Sequence, residues 1–339
     1  MSESAGFILI VVGGFMQGTY YLGLKWTNPW KWENIWLTYA VLALVVMPVI
    51  VAVATVPQFG GAWSLAPSGA LAKVFLYGAG WGIGSVLSGL GVDRVGLAMG
   101  VSILIGIAAA LGALIPLAVD TPELMLKPKG LVIILSVIVL LVGVTLVGIA
   151  GKKRDASRTG PSPAGQKGSF KVGLLICVFS GIFSCMLNLA FSFSKPVAQA
   201  AVLAGASQGG AQNFVWMIAL GGGFIANAVY TCFLLGRNRT WKNFTMPKSS
   251  RVALIGLVMA LLWYWGIILY GRGAGIMGSL GTVAGWPIFM ATMIIISTIW
   301  GFGTGEWKGS SSQAKWYMLA GLVVLIVASG ISGFANNMR

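Results

Sequence analysis

Ten apolar runs, each long enough to cross a bilayer, take up most of this chain, at about 6–24, 35–57, 74–92, 95–119, 131–150, 172–194, 211–235, 252–270, 280–303 and 316–335. A helix needs about 20 apolar residues to cross a hydrocarbon core about 30 Å thick. Inside lipid every backbone polar group must be satisfied within the protein, which leaves helices and closed barrels. Barrel strands alternate polar and apolar residues, whereas these runs are apolar on every side. Only 9% of the 339 residues are charged, against about 25% in a typical soluble domain. The chain therefore reads as an all-α integral membrane protein of ten transmembrane helices.

The charges orient it. Sixteen of the 22 Lys and Arg residues fall in the odd-numbered gaps between runs. Loops on the cytoplasmic side are enriched in Lys and Arg, so both termini are expected in the periplasm of a bacterium and the protein in its inner membrane. The net charge of +15 follows from this placement and from scarce acids. Short basic loops without a domain of their own do not suit nucleic acid. Residues Met1 to Ala5 lack the basic start of a secretory signal, so the first run is expected to be retained as a helix.

The gap from Gly151 to Ser169 is rich in Gly, Pro and Ser and has five runs on each side. We read 1–151 and 171–339 as two five-helix units joined by a basic cytoplasmic linker at 152–170. An odd helix count per unit starts the second from the opposite face, as in the inverted repeats of many secondary transporters. Glycine supplies 49 residues, many inside the runs, as at Gly78 to Gly84. Small residues let helix backbones approach closely in lipid, and the same clusters suit a point where one bundle rocks on another.

Enzymatic chemistry finds little to use. The chain has no histidine. Its cysteines Cys177, Cys185 and Cys232 fall inside runs without metal-ligand spacing. Paired carboxylates, a histidine base or a metal carry most transferase chemistry, so no enzyme activity, cofactor or metal is expected. All seven acids lie in gaps, in tails or at helix ends. Glu33 opens the second helix, Asp93 closes the third and Glu306 closes the ninth, all near the cytoplasmic face. Any coupling to a cation falls to these three, with Lys25 and Lys195 beside helix ends. Each also has a plainer role: an acid at a helix N-terminus, a surface pair of Glu306 with Lys308, or a lysine snorkelling to the interface.

Polar groups deep in apolar helices must find partners or cost several kcal/mol. Gln17 with Tyr20 and Tyr21 in the first helix stands out, then Ser184 and Asn188 one turn apart in the sixth, and Asn227 in the seventh. Ser102 in the fourth is a further case. Trp81, Trp263 and Trp286 sit inside runs, with Tyr264 and Trp265 among them. Trp26, Trp30, Trp32, Trp36, Trp63, Trp241, Trp307 and Trp316 read as interfacial anchors. An indole or phenol pairs a flat apolar face with one hydrogen-bonding handle, which suits a sugar ring. These residues serve equally well as helix-to-helix contacts or, for the aromatics, as lipid-facing side chains. We expect Gln17, Trp81, Asn188, Asn227 and Trp263 to line one cavity.

The segment Phe75-Leu-Tyr-Gly-Ala-Gly-Trp-Gly-Ile-Gly84, then Gly89-Leu90 and Arg94-Val-Gly-Leu-Ala-Met-Gly100, resembles the L-rhamnose–proton symporter family of the drug/metabolite transporter superfamily. Further likenesses run in order along nearly the whole chain: Trp30 to Trp36, Gly181 to Ser184, Lys195-Pro196, Gly221 to Gly223 with Asn227, Trp263-Tyr264, Trp286, and Glu306-Trp307. The resemblance implies two inverted five-helix repeats around a central cavity with alternating access. It implies import of a neutral monosaccharide, L-rhamnose or a related deoxysugar, with symport of a proton or sodium, by a monomer or weak homodimer. The family's pattern in the ninth helix can include an acid where this chain has Thr282. Two other transport readings stand beside it: a drug or metabolite exporter, and a carrier of an anionic sugar derivative.

Overall fold

A computed structural model describes residues 3–157 and 169–338. Ten helices in it are long and apolar enough to cross a membrane: α1 (Ser4–Trp26), α2 (Trp32–Thr55), α3 (Ser68–Val92), α4 (Met99–Asp120), α5 (Pro128–Ala156), α6 (Phe170–Leu203), α7 (Gln208–Asn238), α8 (Ser249–Ile276), α9 (Gly281–Gly303) and α10 (Ser312–Asn337). The protein is a multi-pass membrane protein. Residues 158–168 of the expected linker lie outside the described residues, and α5 carries its helix through Lys152, Lys153 and Arg154 before them.

Exposure is inverted relative to a water-soluble fold. Ile8, Val12 and Phe15 form an outward stripe on α1, while Ile10 and Gln17 on its other side are buried. Bare leucine, isoleucine and valine likewise cover α5 and α10. Such a surface matches lipid tails and leaves close backbone packing to hold the helices together. A Cβ placed on Gly78 would lie 1.8 Å from the Ala219 carbonyl oxygen, and one on Gly82 2.3 Å from that of Gly223. The helix runs unbroken through Gly78 to Gly84, so these glycines serve the α3–α7 contact.

The packing has an internal rule. The α1 helix lies on α8 and α9, and α6 lies on α3 and α4. The α2 helix meets α7 and α8, while α7 meets α2 and α3. The α4–α5 pair has its counterpart in α9–α10, and α5 packs along α10. Advancing every helix number by five turns each of these contacts into another of them.

Prolines account for three local features of the helices. Pro48 has no N–H to give, and the turn before it widens into a π-helix at Leu42–Val46, where the Met47 N–H reaches the Leu42 carbonyl. Pro116 stands inside α4 and leaves the Gly112 carbonyl without its helical donor. The α6 span was expected as one helix at 172–194. It instead comprises Phe170–Ser184, Met186–Ser192 and Lys195–Leu203. Pro196 supplies no donor for the Ser192 carbonyl, so the middle segment stops and a new one starts with proline in its first turn. Lys195 opens that last segment, exposed, rather than ending the span.

Candidate functional site

The polar and aromatic side chains of the interior collect at two levels along α7 and α8. The first lies toward the end of the bundle that carries the basic loops. There Gln17 of α1 donates from Nε2 to the Trp263 carbonyl at 2.9 Å. The Trp263 indole stacks on Trp81 at 5.4 Å and meets Tyr39 edge-on at 6.1 Å. Tyr39 in turn contacts Trp36 and stacks on Tyr20. Trp36 Nε1 donates to Asn227 Oδ1 at 2.9 Å, and Ser85 adds a longer bond at 3.3 Å. The Asn227 amide also donates to the Gly223 carbonyl one turn back.

The second level lies seven residues further along α8, about 10 Å at 1.5 Å per residue. Its centre is Asn188, fully buried in the middle segment of α6. Asn188 Nδ2 donates to the Gly112 carbonyl at 2.7 Å and more weakly to that of Thr282 at 3.3 Å. The first bond supplies the donor that Pro116 denies to Gly112. Tyr270 donates its hydroxyl to Asn188 Oδ1. Around this pair, Phe191 stacks on Trp216 at 4.7 Å with rings 4° from parallel. Trp286 and Phe289 contact Tyr270 at 5.4 and 4.8 Å, and Trp286 Nε1 donates to the Ala108 carbonyl at 3.0 Å.

Among the described residues, four buried polar atoms on α7 and α8 have no hydrogen-bond partner: Gln212 Oε1, Asn213 Oδ1, Trp216 Nε1 and the Tyr264 hydroxyl. Buried polar groups are nearly always paired.

Of the expected site residues, the structure brings Gln17, Tyr20, Trp81, Asn227 and Trp263 to the first level. It brings Asn188 and Trp286 to the second. Ser184 is half-buried at the α6 break, with its backbone against Gly84 of α3. Tyr264 is fully buried on α8, with its ring edge-on to Trp265 at 5.7 Å. Tyr21 is 47% exposed, with its ring against that of Tyr20 at 4.1 Å, at the edge of the first level. Three tryptophans expected as interfacial anchors, Trp30, Trp36 and Trp307, are buried within the protein. Trp36 is there because α2 turns it toward α7 rather than toward lipid.

The charged candidates have partners at the basic end. Glu33 Oε1 accepts from Thr240 Oγ1 at 2.7 Å and from Asn238 at 3.0 Å, in a polar staple joining the start of α2 to the α7–α8 connection. Asn34 extends that staple to Thr240 and Asn243. Glu306, expected beside Lys308, instead pairs with Lys25 at 2.6 Å and with Arg154 at 3.6 Å. The side chain of Asp93 lies outside the described residues.

Several members of the site were not expected from sequence: Trp36, Tyr39, Phe191, Ser192, Trp216, Tyr270 and Thr282. Two had a usable signal. Tyr270 lies two helical turns from Trp263 on the same side of α8, and Ser192 continues the four-residue spacing of Ser184 and Asn188. Asp120, expected in a loop, is the last residue of α4 and accepts from Ser192 Oγ at 3.1 Å.

A model of the L-rhamnose-proton symport protein (RhaT) family matches residues 2–338. The L-rhamnose-proton symporter of Yersinia pestis (strain Pestoides F) is 29% identical over 97% of this chain and 96% of its own length. The protein of the same name from Yersinia pseudotuberculosis (serotype O:1b, strain IP 31758) matches equally. These relatives are named as symporters, not enzymes. With its ten spans, its two aromatic and amide levels and a family match over nearly its whole length, the chain belongs to the L-rhamnose-proton symport protein family.

Proposed function

We propose that this protein imports L-rhamnose, or a closely related neutral deoxysugar, together with a proton across the bacterial inner membrane. The full-length family match carries the reading. The chemistry of the interior agrees with it. The first level contacts no described carboxylate and the second meets one, Asp120, only through the Ser192 hydroxyl, so an organic cation finds no counter-charge against the ring faces. Described Lys and Arg side chains make none of the contacts at either level, so neither does an anionic sugar derivative. Indole and phenol faces with amide and hydroxyl edges match a sugar's C–H face and polar rim.

The mechanism we propose is alternating access between two inverted repeats, α1–α5 and α6–α10, in the manner of the drug/metabolite transporter superfamily. The five-step contact rule supports it, since an inverted repeat relates each contact to its mate. So does the broken α6, because interrupted helices are where secondary transporters bind their substrates. Substrate hydroxyls replace the missing partners of Trp216 and Tyr264, and Asn188 or Gln17 exchanges a protein bond for one to sugar. The enrichment of Lys and Arg in the loops at the shared end of α1, α5 and α9 supports a cytoplasmic location for that end, and with it periplasmic termini.

The test is uptake of labelled L-rhamnose into proteoliposomes with the pH gradient and the sodium gradient imposed separately. Saturable uptake driven by the pH gradient and abolished by a protonophore is expected, with no competition from organic cations or sugar acids. Absence of saturable uptake of any neutral sugar would overturn the reading.

A further inference from the structure

The geometry points to Asp120 as the group that takes up the coupled proton, on the face opposite the basic loops. This rests on the proton-symport reading and names the residue that serves it. Asp120 closes α4 and its side chain is exposed, so water on that face reaches it. Its Oδ2 accepts from Ser192 Oγ at 3.1 Å, and Ser192 Oγ lies 3.2 Å from Thr282 Oγ1. The Thr282 carbonyl accepts from Asn188 Nδ2, and Asn188 holds Tyr270. A polar string thus runs from an aqueous carboxylate on α4, through α6 and α9, to the buried amide at the second level.

No other described carboxylate has this connection. Glu33 is held by Asn238 and Thr240 at the opposite end, and Glu306 is held by Lys25 and Arg154. The charged side chains on elements packed around Asp120 are Glu123 in the following turn, Lys127 and Lys129 at the start of α5, Lys195 three residues after Ser192, and Lys73 on α3, whose ammonium lies over the Phe193 ring at 4.5 Å. The Lys129 ammonium is bonded to the Met338 carbonyl at 2.8 Å. The α9 helix brings no charge and only the Thr282 hydroxyl. Among the described residues no cation lies within 4 Å of Asp120, so its charge is not committed to an ion pair.

The string gives proton binding a mechanical meaning. An ionised carboxylate is an acceptor only, so Ser192 must donate to it and can only accept from Thr282. When a proton from the outer water binds Asp120, the carboxyl becomes a donor to Ser192 Oγ. The Ser192 hydroxyl is then free to donate to Thr282. The direction of both bonds reverses, and the proton balance closes by relay. When the second level opens inward, Asp120 passes its proton to Ser192 Oγ as Ser192 passes its own to Thr282 Oγ1 and Thr282 gives its own to water of the inward-open cavity. One proton thus enters outside, one leaves inside, and both hydroxyls and the carboxylate are restored. The bonds lie between α4 of one five-helix unit and α6 and α9 of the other, so their reversal acts on the contacts that an opening and closing bundle must change.

The experiment uses the full-length protein in proteoliposomes, with Asp120→Asn, Asp120→Glu and Ser192→Ala beside wild type. Two quantities are read: exchange of labelled for unlabelled L-rhamnose without a gradient, and steady-state accumulation under a one-unit pH gradient. For one proton per sugar, that gradient supports about tenfold accumulation. The asparagine amide imitates the protonated carboxyl and donates to Ser192. Asp120→Asn should therefore exchange within about threefold of wild type while its accumulation ratio falls to one. Rhamnose-dependent proton uptake, followed with a pH dye, should vanish with it. Asp120→Glu should keep accumulation with a displaced pH profile, and Ser192→Ala should reduce it. Asp120→Asn accumulating sugar as wild type does would overturn the assignment. So would loss of exchange in all three variants when each elutes as a monodisperse protein. If Asp120→Asn does not fold, an unchanged pH profile in Asp120→Glu with undiminished accumulation in Ser192→Ala overturns it. A wild type that exchanges rhamnose but ignores the pH gradient rejects proton symport itself, and this assignment with it.

Discussion

Lys25 Nζ lies 2.6 Å from Glu306 Oε1, joining the end of α1 to the α9–α10 connection. Arg154 at the end of α5 approaches the same carboxylate at 3.6 Å and lies over the Trp307 ring at 5.3 Å. The Lys25 and Glu306 side chains are 34% and 40% exposed, and an ion pair so open to water contributes about 0–1 kcal/mol. Its use is positional. It joins the two proposed five-helix units at the basic end, which in the proposed alternating-access cycle is the end that parts to release solute inward. Lys25→Glu or Glu306→Lys alone should lower rhamnose uptake severalfold with little change in melting temperature. The double exchange should restore a substantial part of it. Uptake and thermal unfolding of the three variants check this, and additive losses in the double variant would count against a gate.

Glu33 has a different task, because its partners are neutral donors. Removing its carboxylate leaves Thr240 Oγ1 and Asn238 Nδ2 without the acceptor they share. An orphaned buried donor costs about 1–3 kcal/mol. Glu33→Ala should lower the unfolding temperature in detergent measurably. Glu33→Gln, which keeps an acceptor oxygen, should lower it less and leave pH-driven accumulation intact. Loss of accumulation in a stable Glu33→Gln protein would move the coupling role to the basic end.

The α3–α7 contact tests the glycine argument with its own control. Gly222 faces the Phe75 carbonyl, 2.2 Å from where a Cβ would stand, while its neighbour Gly221 has nothing within 4 Å. Overpacking a tight contact costs about 1–3 kcal/mol, whereas alanine on an open helical surface gains helix propensity. Gly222→Ala and Gly78→Ala should therefore destabilise the protein, and Gly221→Ala should be neutral or stabilising. Fluorescence-detected size exclusion after a temperature series distinguishes the three.

The ten spans were legible because the bilayer sets their length, and the basic gaps marked which ends lie together. What sequence could not supply was partner choice across helices. Glu306 and Lys25 stand 281 positions apart, so each looked like an isolated candidate when they are one pair. Trp36 looked interfacial because it sits near the start of α2, yet the face it occupies is set by α7. Asp120 fell just past the apolar run of α4, and only the break in α6 brings Ser192 to it. The site was half legible for the same reason. The polar residues themselves stand out against leucine, but the two levels arise from helix packing. The expected single cavity resolves into residues at both levels, with Gln17, Trp81, Asn227 and Trp263 at one and Asn188 at the other.

Asn188 should be the most sensitive neutral residue of the second level, because three helices depend on its one amide. Its Nδ2 serves the Gly112 carbonyl that Pro116 leaves free, and its Oδ1 accepts from Tyr270. In a membrane interior no bulk water replaces either partner. Asn188→Leu fills a similar volume but strands that carbonyl and hydroxyl. Uptake should fall at least tenfold, with a loss of stability. Asn188→Asp keeps the acceptor for Tyr270 and loses the amide donor, so it isolates the Gly112 contact. Tyr270→Phe removes the hydroxyl and keeps the ring against Trp286 and Phe289. That variant should remain well folded and raise the KM for rhamnose severalfold, since the ring packing persists while Asn188 loses its orientation. Unchanged KM and maximal rate in Tyr270→Phe would remove the second level from the proposed substrate path.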